Sequence, residues 1–241
     1  MVSKIISSVQ NPLVKYLCKL KVDKKFREEN GKVLVIGKRE IEEVLKEHEP
    51  EQIFVPESSQ PSFKNVTHCS SIVLKKITGL KNLEPCALFN LPKQQNLVTK
   101  NKLLLCDHIQ DPGNLGTLIR TAYFLGFEGV LLFNTVDLFN DKTVKVSKGA
   151  SLLLPFCKVN ESSLDQYLTT KKIIVADLGG KDIESVFYKE PIVLVLGHET
   201  KGPSELFSEY QKITIKNQNS FDSLNVAAAG AILMHEMMRK L

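Results

Sequence analysis

Three segments of this 241-residue chain combine glycine with polar or charged side chains directly after apolar runs, and they are its best candidates for chemistry. The first, DPGNLGTLIR, spans residues 111–120 and opens a predicted helix. Free backbone N–H groups at a helix N-terminus, with Gly116 and Arg120 predicted on one side of the helix, are able to receive a phosphate group. A capped helix with a surface arginine explains the same residues, so the helix alone leaves both interpretations open.

The second segment, LGHETKGPS, spans residues 196–204 and follows a run of Val, Leu and Ile. Its two glycines, Gly197 and Gly202, permit a close approach between the backbone and a ligand. The Gly-Lys-Ser/Thr ending of a phosphate-binding loop is absent, which argues against binding of a nucleoside triphosphate. Glu199 is a candidate polar contact, although it could equally cap a helix that starts near Pro203.

The third segment, FDSLNVAAAG, spans residues 221–230 and leads into the last predicted helix. Either Asp222 or Ser223 is able to cap that helix. The run of alanines that follows would let another backbone, or a helix of another subunit, pack very close.

The elements around these segments alternate between strand and helix. The predicted strands of the second half lie near residues 102–106, 129–133, 172–176, 192–196 and 212–215, and its helices near 111–125, 142–150 and 224–239. Such alternation predicts an α/β fold with a mainly parallel sheet. Because open parallel sheets bind ligands at the carboxyl ends of their strands, the three segments are expected to meet at one edge.

The first half predicts a smaller α/β unit. Its helices are expected from Asn11-Pro12, over 39–47 and over 74–80, and its strands over 32–37, 52–55 and 87–91. A polar stretch over 92–101 separates the halves, so the predicted domains are residues 1–98 and 99–241.

Charge is distributed unevenly between the halves. Residues 1–100 contain seventeen Lys and Arg against eleven Asp and Glu, whereas the rest of the chain is nearly balanced. This excess of positive charge in the first hundred residues suits a surface that binds the phosphates of a nucleic acid. A solvated helix face explains the same charge equally well. Five scattered cysteines, no metal-like spacing and no long apolar run indicate a cytoplasmic protein without a metal site, a disulfide framework or a membrane span.

The three segments, in this order, resemble the three motifs of the SpoU (TrmH-like) branch of the SPOUT methyltransferases. The resemblance is carried by DHIQDPGNLGTLIRTA (residues 107–122), by VLVLGHETKG, and by ITIKN followed by DSLNVAAAGAIL. The first half resembles the family's small RNA-binding domain of ribosomal-protein-L30e-like fold, opening with QNPLVK at residues 10–15. The resemblance implies a homodimer whose C-terminal parallel-sheet domain contains a deep trefoil knot.

It also implies an enzyme, an RNA ribose 2′-O-methyltransferase that uses S-adenosylmethionine, with ribosomal RNA favoured over transfer RNA as its substrate. The family positions that hold the cofactor through backbone groups correspond to Gly197, Ile215 and Leu224. The polar positions around the substrate correspond to Arg120, Asn114, Glu199, Ser223 and Asn225. Because a guanidinium holds its proton at neutral pH, Arg120 is expected to bind a phosphate and orient the ribose hydroxyl rather than to act as a base.

Two departures from the family pattern leave a second hypothesis open. Lys216-Asn217 stand where Pro-Met is common, and His198 and Thr200 replace the commoner Asn and Gly. The alternative is a non-catalytic RNA-binding protein on the same fold, which would be expected to have lost Arg120 or Asn225; both are present. A dinucleotide-binding enzyme would need a Gly-x-Gly-x-x-Gly turn, and the sequence has none.

Overall fold

The computed structural model describes residues 5–60, 63–217, 219 and 223–241, and these residues form nine α-helices and ten β-strands. The helices are α1 (Pro12–Val22), α2 (Lys24–Asn30), α3 (Lys38–Val44), α4 (Ser71–Thr78), α5 (Pro112–Phe124), α6 (Asp141–Val146), α7 (Ala150–Leu153), α8 (Glu161–Leu168) and α9 (Val226–Lys240). The strands are β1 (Lys32–Ile36), β2 (Gln52–Pro56), β3 (Val66–Cys69), β4 (Cys86–Asn90), β5 (Lys102–Asp107), β6 (Gly129–Phe133), β7 (Phe156–Val159), β8 (Lys172–Asp182), β9 (Ile192–Leu196) and β10 (Gln211–Thr214).

The chain divides into two compact units. The first unit comprises Met1–Pro92 and Phe139–Leu153, and the second comprises Lys93–Leu138 and Leu154–Leu241. The first unit holds a four-stranded sheet in the order β1-β4-β2-β3, in which β2 and β3 run parallel and the other pairs antiparallel.

Helix α1 begins where the sequence predicted it. The side chain of Asn11 accepts a 2.9 Å hydrogen bond from the backbone N–H of Leu13, and Pro12 occupies the first turn, where no N–H donor is needed. Leu17 and Leu20, three residues apart, are fully buried in the core of the first unit. The apolar spacing therefore determines both the helix and the face that it buries.

The segment Phe139–Leu153 departs from the predicted division, which assigned it to residues 99–241. Its helix α6 packs on β1, and its helix α7 packs on α3. The ammonium of Lys148 lies 2.6 Å from the buried carboxylate of Glu40, and Val144 is buried. A Cβ on Gly149 would lie 3.1 Å from the carbonyl oxygen of Glu40, so the segment lies directly on α3. This tertiary packing, rather than the position in the chain, places the segment in the first unit.

The second unit holds a six-stranded sheet in the order β10-β8-β9-β5-β6-β7, and every pair of strands is parallel. This confirms the predicted α/β architecture with a parallel sheet. All five residues of β9 are buried, as a run of Val, Leu and Ile in a covered central strand requires. Because the strands are parallel, the segments that follow β5, β9 and β10 leave the sheet at the same edge.

Sequence reasoning missed two neighbouring elements of this unit, β7 and α8. Strand β7 has only four residues and contains the exposed Lys158, so its apolar pattern is weak. Helix α8 is marked by the capping box of Asn160 and Ser163, each of which bonds the backbone of the other. That polar pair was the local signal that would have predicted the helix.

Candidate functional site

A cavity of about 610 Å³ opens at the carboxyl edge of the six-stranded sheet. It is lined by the middle of β8 (residues 176–178), by the ends of β9 and β10, by the segments after β9 and β10, and by the first turns of α9. Small-molecule sites commonly have volumes of roughly 300–1,000 Å³, so the cavity has the size of a ligand site. Its apolar wall includes Leu196, Phe207, Ile213 and Leu233.

All three residues predicted to bind the cofactor line this cavity. Gly197 follows β9, Ile215 follows β10, and Leu224 precedes α9. The side chain of Leu224 is exposed, while Gly197 is buried. The structure therefore brings the three positions, which the family resemblance assigned to the cofactor, to one cavity.

The segment after β9 folds back tightly on itself. The backbones of His198 and Gly202 exchange two hydrogen bonds of 3.0 Å each. A Cβ added to Gly197 would lie only 2.2 Å from the backbone nitrogen of Pro203. Since no real side chain tolerates that distance, glycine is required here for the turn to close over the strand end.

Glu199 connects the first two motif segments. Its carboxylate accepts hydrogen bonds from the backbone N–H of Asp111 (3.1 Å), from the side-chain amide of Asn114 (3.2 Å) and from the backbone N–H of Gln110 (3.5 Å). The side-chain amide of Asn225 in turn donates a 3.0 Å hydrogen bond to Oδ1 of Asn114. One chain of hydrogen bonds thus joins all three segments.

The environment of Glu199 lowers its pKa. Burial by itself raises the pKa of this carboxyl, but the hydrogen bonds donated by backbone N–H groups, including that of Asp111, and by the Asn114 side chain outweigh burial. The carboxylate is therefore ionised at neutral pH. The expectation that Glu199 caps a helix near Pro203 is wrong, because the residue that precedes the short 3-10 helix Glu205–Phe207 is Ser204.

Helix α9 is capped by Asn225 rather than by the predicted residues. Oδ1 of Asn225 accepts hydrogen bonds from the backbone N–H groups of Ala227 (2.9 Å) and Ala228 (3.3 Å). Ser223 is exposed and lines the cavity, and Asp222, the other predicted cap, lies outside the described residues. The helix begins at Val226, two residues later than expected. The side chain of Asn225 therefore stands at the helix start, where it contacts both the first turn and Asn114.

Arg120 lies apart from the cavity. It is exposed on α5, six residues after Asn114, and does not line the cavity wall. Within the described ranges no side chain pairs with its guanidinium. Gly116 is buried, so the prediction that it shares the free side of the helix with Arg120 is wrong. Residues Leu115, Leu118, Ile119 and Ala122 form the buried face, as predicted.

Sequence reasoning missed a buried carboxylate beside these segments. Asp107, the last residue of β5, has no exposed surface. Its Oδ2 accepts a 2.6 Å hydrogen bond from the backbone N–H of Ser204, and its Oδ1 pairs with Nδ1 of His108. The imidazole packs edge-on against Phe133. An acidic residue at the end of an otherwise apolar strand was the available signal, since a buried carboxylate requires hydrogen-bond donors.

The described residues contain no group of three or more His, Cys, Asp and Glu side chains that could hold a metal ion. Among the same residues, no helix has the length and apolar character needed to cross a membrane.

Comparison with known proteins identifies the class to which this fold and cavity belong. The model of the SpoU rRNA Methylase family matches residues 101–235, which is more than half of the chain. The model of the MRM3-like substrate binding domain matches residues 11–87. The fold is therefore that of an RNA methyltransferase. The chain belongs to the SpoU rRNA methylase family.

Several relatives are similar over nearly their full length. The 23S rRNA (guanosine(2553)-2′-O)-methyltransferase RlmP of Bacillus subtilis is 30% identical, with 97% of this chain and 99% of that protein aligned. The crystal structure of an AdoMet-bound rRNA methyltransferase from Sinorhizobium meliloti is 27% identical, with a TM-score of 0.85 over 99% of this chain and 98% of that one. A crystal structure of an RNA 2′-O ribose methyltransferase is 26% identical, with a TM-score of 0.84 over 98% and 99%.

Proposed function

We propose that this protein transfers a methyl group from S-adenosylmethionine to the 2′-hydroxyl of a ribose in RNA, with ribosomal RNA favoured over transfer RNA. The observation that carries the proposal is the hydrogen-bonded chain Glu199–Asn114–Asn225, which joins the three motif segments beside a cavity of ligand size. The preference for ribosomal RNA is supported by RlmP and by the S. meliloti relative, both named as rRNA methyltransferases.

The cofactor is S-adenosylmethionine, as the AdoMet-bound relative supports. The cavity fits this group, because it combines an apolar wall with the backbone of the tight turn that begins at Gly197. We expect backbone groups at Gly197, Ile215 and Leu224 to hold the adenine. When bound, the cofactor supplies a methyl group on a positively charged sulfur.

The polar residues act on the RNA in this proposal. Arg120, which is exposed, binds a phosphate next to the target ribose and orients the 2′-hydroxyl. A guanidinium keeps its proton at neutral pH, so the hydroxyl proton leaves to another oxygen, of a phosphate or of water. Asn114 and Asn225 hold the ribose, and Ser223 contacts the substrate at the rim of the cavity. Glu199 fixes the amide of Asn114, whose oxygen in turn accepts a hydrogen bond from Asn225. Much of the catalysis then comes from positioning.

In this proposal the two domains have different roles. Residues 1–98, with an L30e-like fold, bind the RNA, and residues 99–241 form the methyltransferase domain with a trefoil knot, except that Phe139–Leu153 belongs to the first compact unit. The match of residues 11–87 to a substrate binding domain supports this division. The exposed lysines of α1 and α2 offer positive charge to phosphates; they are Lys15, Lys19, Lys24 and Lys25.

The protein works as a homodimer in the cytoplasm in this proposal. Phe124 at the end of α5 is 84% exposed, and Ile232 on α9 is also exposed. Apolar side chains of this size favour burial against a second copy. Sedimentation should therefore give about twice the chain mass of 27.0 kDa.

The function is tested by incubating the purified protein with methyl-labelled S-adenosylmethionine and total RNA from a strain that lacks this gene. We expect label in RNA as an alkali-resistant ribose methyl, and none with Arg120→Ala. The variant should bind the cofactor as tightly as the wild type, because Arg120 does not line the cavity. Mapping the label then identifies the RNA.

A measurement of cofactor binding distinguishes the possible reasons for an absence of label in RNA. Absence of label from free RNA but not from ribosomal particles would make an assembled subunit the substrate. Absence of label from both, together with no binding of cofactor, would contradict the proposal and leave the non-catalytic RNA-binding protein.

A further inference from the structure

Two charged residues outside the three motif segments face each other in the cavity wall. Asp177 lies on β8 and Lys212 on β10, and both line the cavity. The ammonium of Lys212 lies 3.2 Å from Oδ2 of Asp177. The Asp177 side chain is 25% exposed and that of Lys212 is 37% exposed, so each retains surface that a ligand in the cavity is able to contact.

The backbone holds this pair in place. The second carboxylate oxygen of Asp177 accepts a 2.8 Å hydrogen bond from the N–H of Gly179, which fixes the orientation of the carboxylate. The register between β10 and β8 shifts between Lys212 and Ile213, so the ladder is interrupted beside the lysine. Such irregularities re-aim side chains and are frequent next to functional sites. Gly180 lets the strands approach closely, because a Cβ there would lie 2.5 Å from the backbone of Ile213.

Other charged residues along the described cavity wall are engaged elsewhere or more open to solvent. Glu199 is held by Asp111 and Asn114. The side chains of Lys201, Glu205 and Lys216 belong to exposed residues. His198 also lies 3.9 Å from the Glu199 carboxylate, which the other hydrogen bonds already hold. Asp177 and Lys212 are therefore a partly buried pair of permanent opposite charges, 3.2 Å apart.

We propose that Asp177 and Lys212 bind the amino-acid end of the cofactor, with the Asp177 carboxylate receiving the α-ammonium and the Lys212 ammonium receiving the α-carboxylate. The inference rests on the proposed function, because it takes S-adenosylmethionine as the ligand of the cavity. A zwitterion carries both charges on one carbon, and the pair presents the two complementary charges side by side, 3.2 Å apart. The nucleoside end is then left to the apolar wall and to the backbone near Gly197.

The test compares ligands that differ only at the amino-acid end. Calorimetry measures the binding of S-adenosylhomocysteine, of its decarboxylated analogue, and of 5′-methylthioadenosine, which lacks the amino acid. The double variant Asp177→Asn/Lys212→Met removes both charges without leaving either unpaired. We expect it to bind S-adenosylhomocysteine about tenfold more weakly than the wild type, as lost charged hydrogen bonds imply, and 5′-methylthioadenosine with unchanged affinity.

Single variants assign the two contacts. Lys212→Met should weaken the binding of S-adenosylhomocysteine but not that of the decarboxylated analogue. Asp177→Asn should weaken the binding of both ligands. The matched control is Lys181→Met, an exposed lysine of β8 that does not line the cavity and should leave all affinities unchanged.

Equal weakening of all three ligands by the double variant would overturn the inference and make the pair a structural link between β8 and β10. Unchanged binding of S-adenosylhomocysteine would overturn it as well. In both of these cases the wild type binds the cofactor product, so the proposed function stands. Failure of the wild type to bind any of the ligands would contradict both.

Discussion

The side-chain amide of Asn225 donates a 3.0 Å hydrogen bond to Oδ1 of Asn114, a residue 111 positions earlier in the chain. The oxygen of the same amide caps α9 by accepting from Ala227 and Ala228. One side chain therefore begins the last helix and fixes the polar group that Glu199 holds from the other side. Stability of the helix and alignment of the site are linked at this residue.

Substitution of Asn225 should separate those two roles. Asn225→Ala removes the cap and should lower the free energy of unfolding by about 1 kcal/mol, the usual cost of a lost N-cap. Asn225→Asp retains an oxygen acceptor for the cap but loses the donor to Asn114. We expect near wild-type stability and a large loss of methyl transfer in this variant, measured by thermal unfolding and by label transfer. Full activity of Asn225→Asp would show that the bond to Asn114 is dispensable.

The ionised Glu199 should make stability depend on pH. Its pKa in the folded protein lies below the ordinary value of 4.5, so folding gains from its charge above about pH 4.5 and loses that gain as the pH falls through the lower folded-state pKa. The difference in unfolding free energy between wild type and Glu199→Gln should therefore shrink as the pH is lowered below 4.5. Denaturant unfolding of both proteins at several pH values measures this difference.

The control for that series is Glu205→Gln, which removes an exposed carboxylate from the same region. The free energy of unfolding of this variant should vary with pH as that of the wild type does. A difference between wild type and Glu199→Gln that stays constant with pH would contradict the hydrogen-bonded carboxylate.

Gly197→Ala should damage the proposed cofactor site directly. The added Cβ would lie 2.2 Å from the nitrogen of Pro203, so the turn after β9 must open. We expect a stability loss of about 1–3 kcal/mol, as for other overpacked sites, and at least about tenfold weaker binding of S-adenosylmethionine. Calorimetry and thermal unfolding measure the two effects.

Gly126→Ala is the matched control for this substitution. Gly126 has a φ of +78°, so alanine is strained there, but no atom lies within 4 Å of the added Cβ and the residue does not line the cavity. It should lower stability and leave the cofactor affinity unchanged. Normal cofactor binding by Gly197→Ala would mean that the turn is not part of the cofactor site.

Lys148→Met should destabilise the first unit. Glu40 would be left as a buried carboxylate without its cation. Because the Lys148 side chain is 40% exposed and water screens part of the pairing, the expected loss is about 1–3 kcal/mol. The double variant Glu40→Gln/Lys148→Met should recover much of that loss. Lys25→Met, which breaks an exposed pair with Glu29, should change the free energy of unfolding by less than about 1 kcal/mol. Equal effects of the two lysine variants would contradict the importance of the buried pair.

The sequence by itself determined most of the local elements and the three motif segments. Strands β6 and β9 have the predicted limits, because runs of buried apolar residues are read directly from composition. Helix α5 begins at its predicted cap, where the Asp111 side chain accepts from the N–H of Asn114. The residues that the family resemblance assigned to the cofactor line one cavity, because parallel strands end at one edge of the sheet.

Only the tertiary structure decided which partners those residues meet. Local rules offered Asp222 or Ser223 as the cap of α9, but the contact with Asn114 belongs to Asn225 and joins positions distant in the chain. Nothing near Asp177 in the sequence indicates that β10 brings Lys212 to it, because strand order and register are set by packing of the whole sheet. The same reason places Phe139–Leu153 in the first unit: a buried charge such as Glu40 needs a partner, and only the folded chain supplies one.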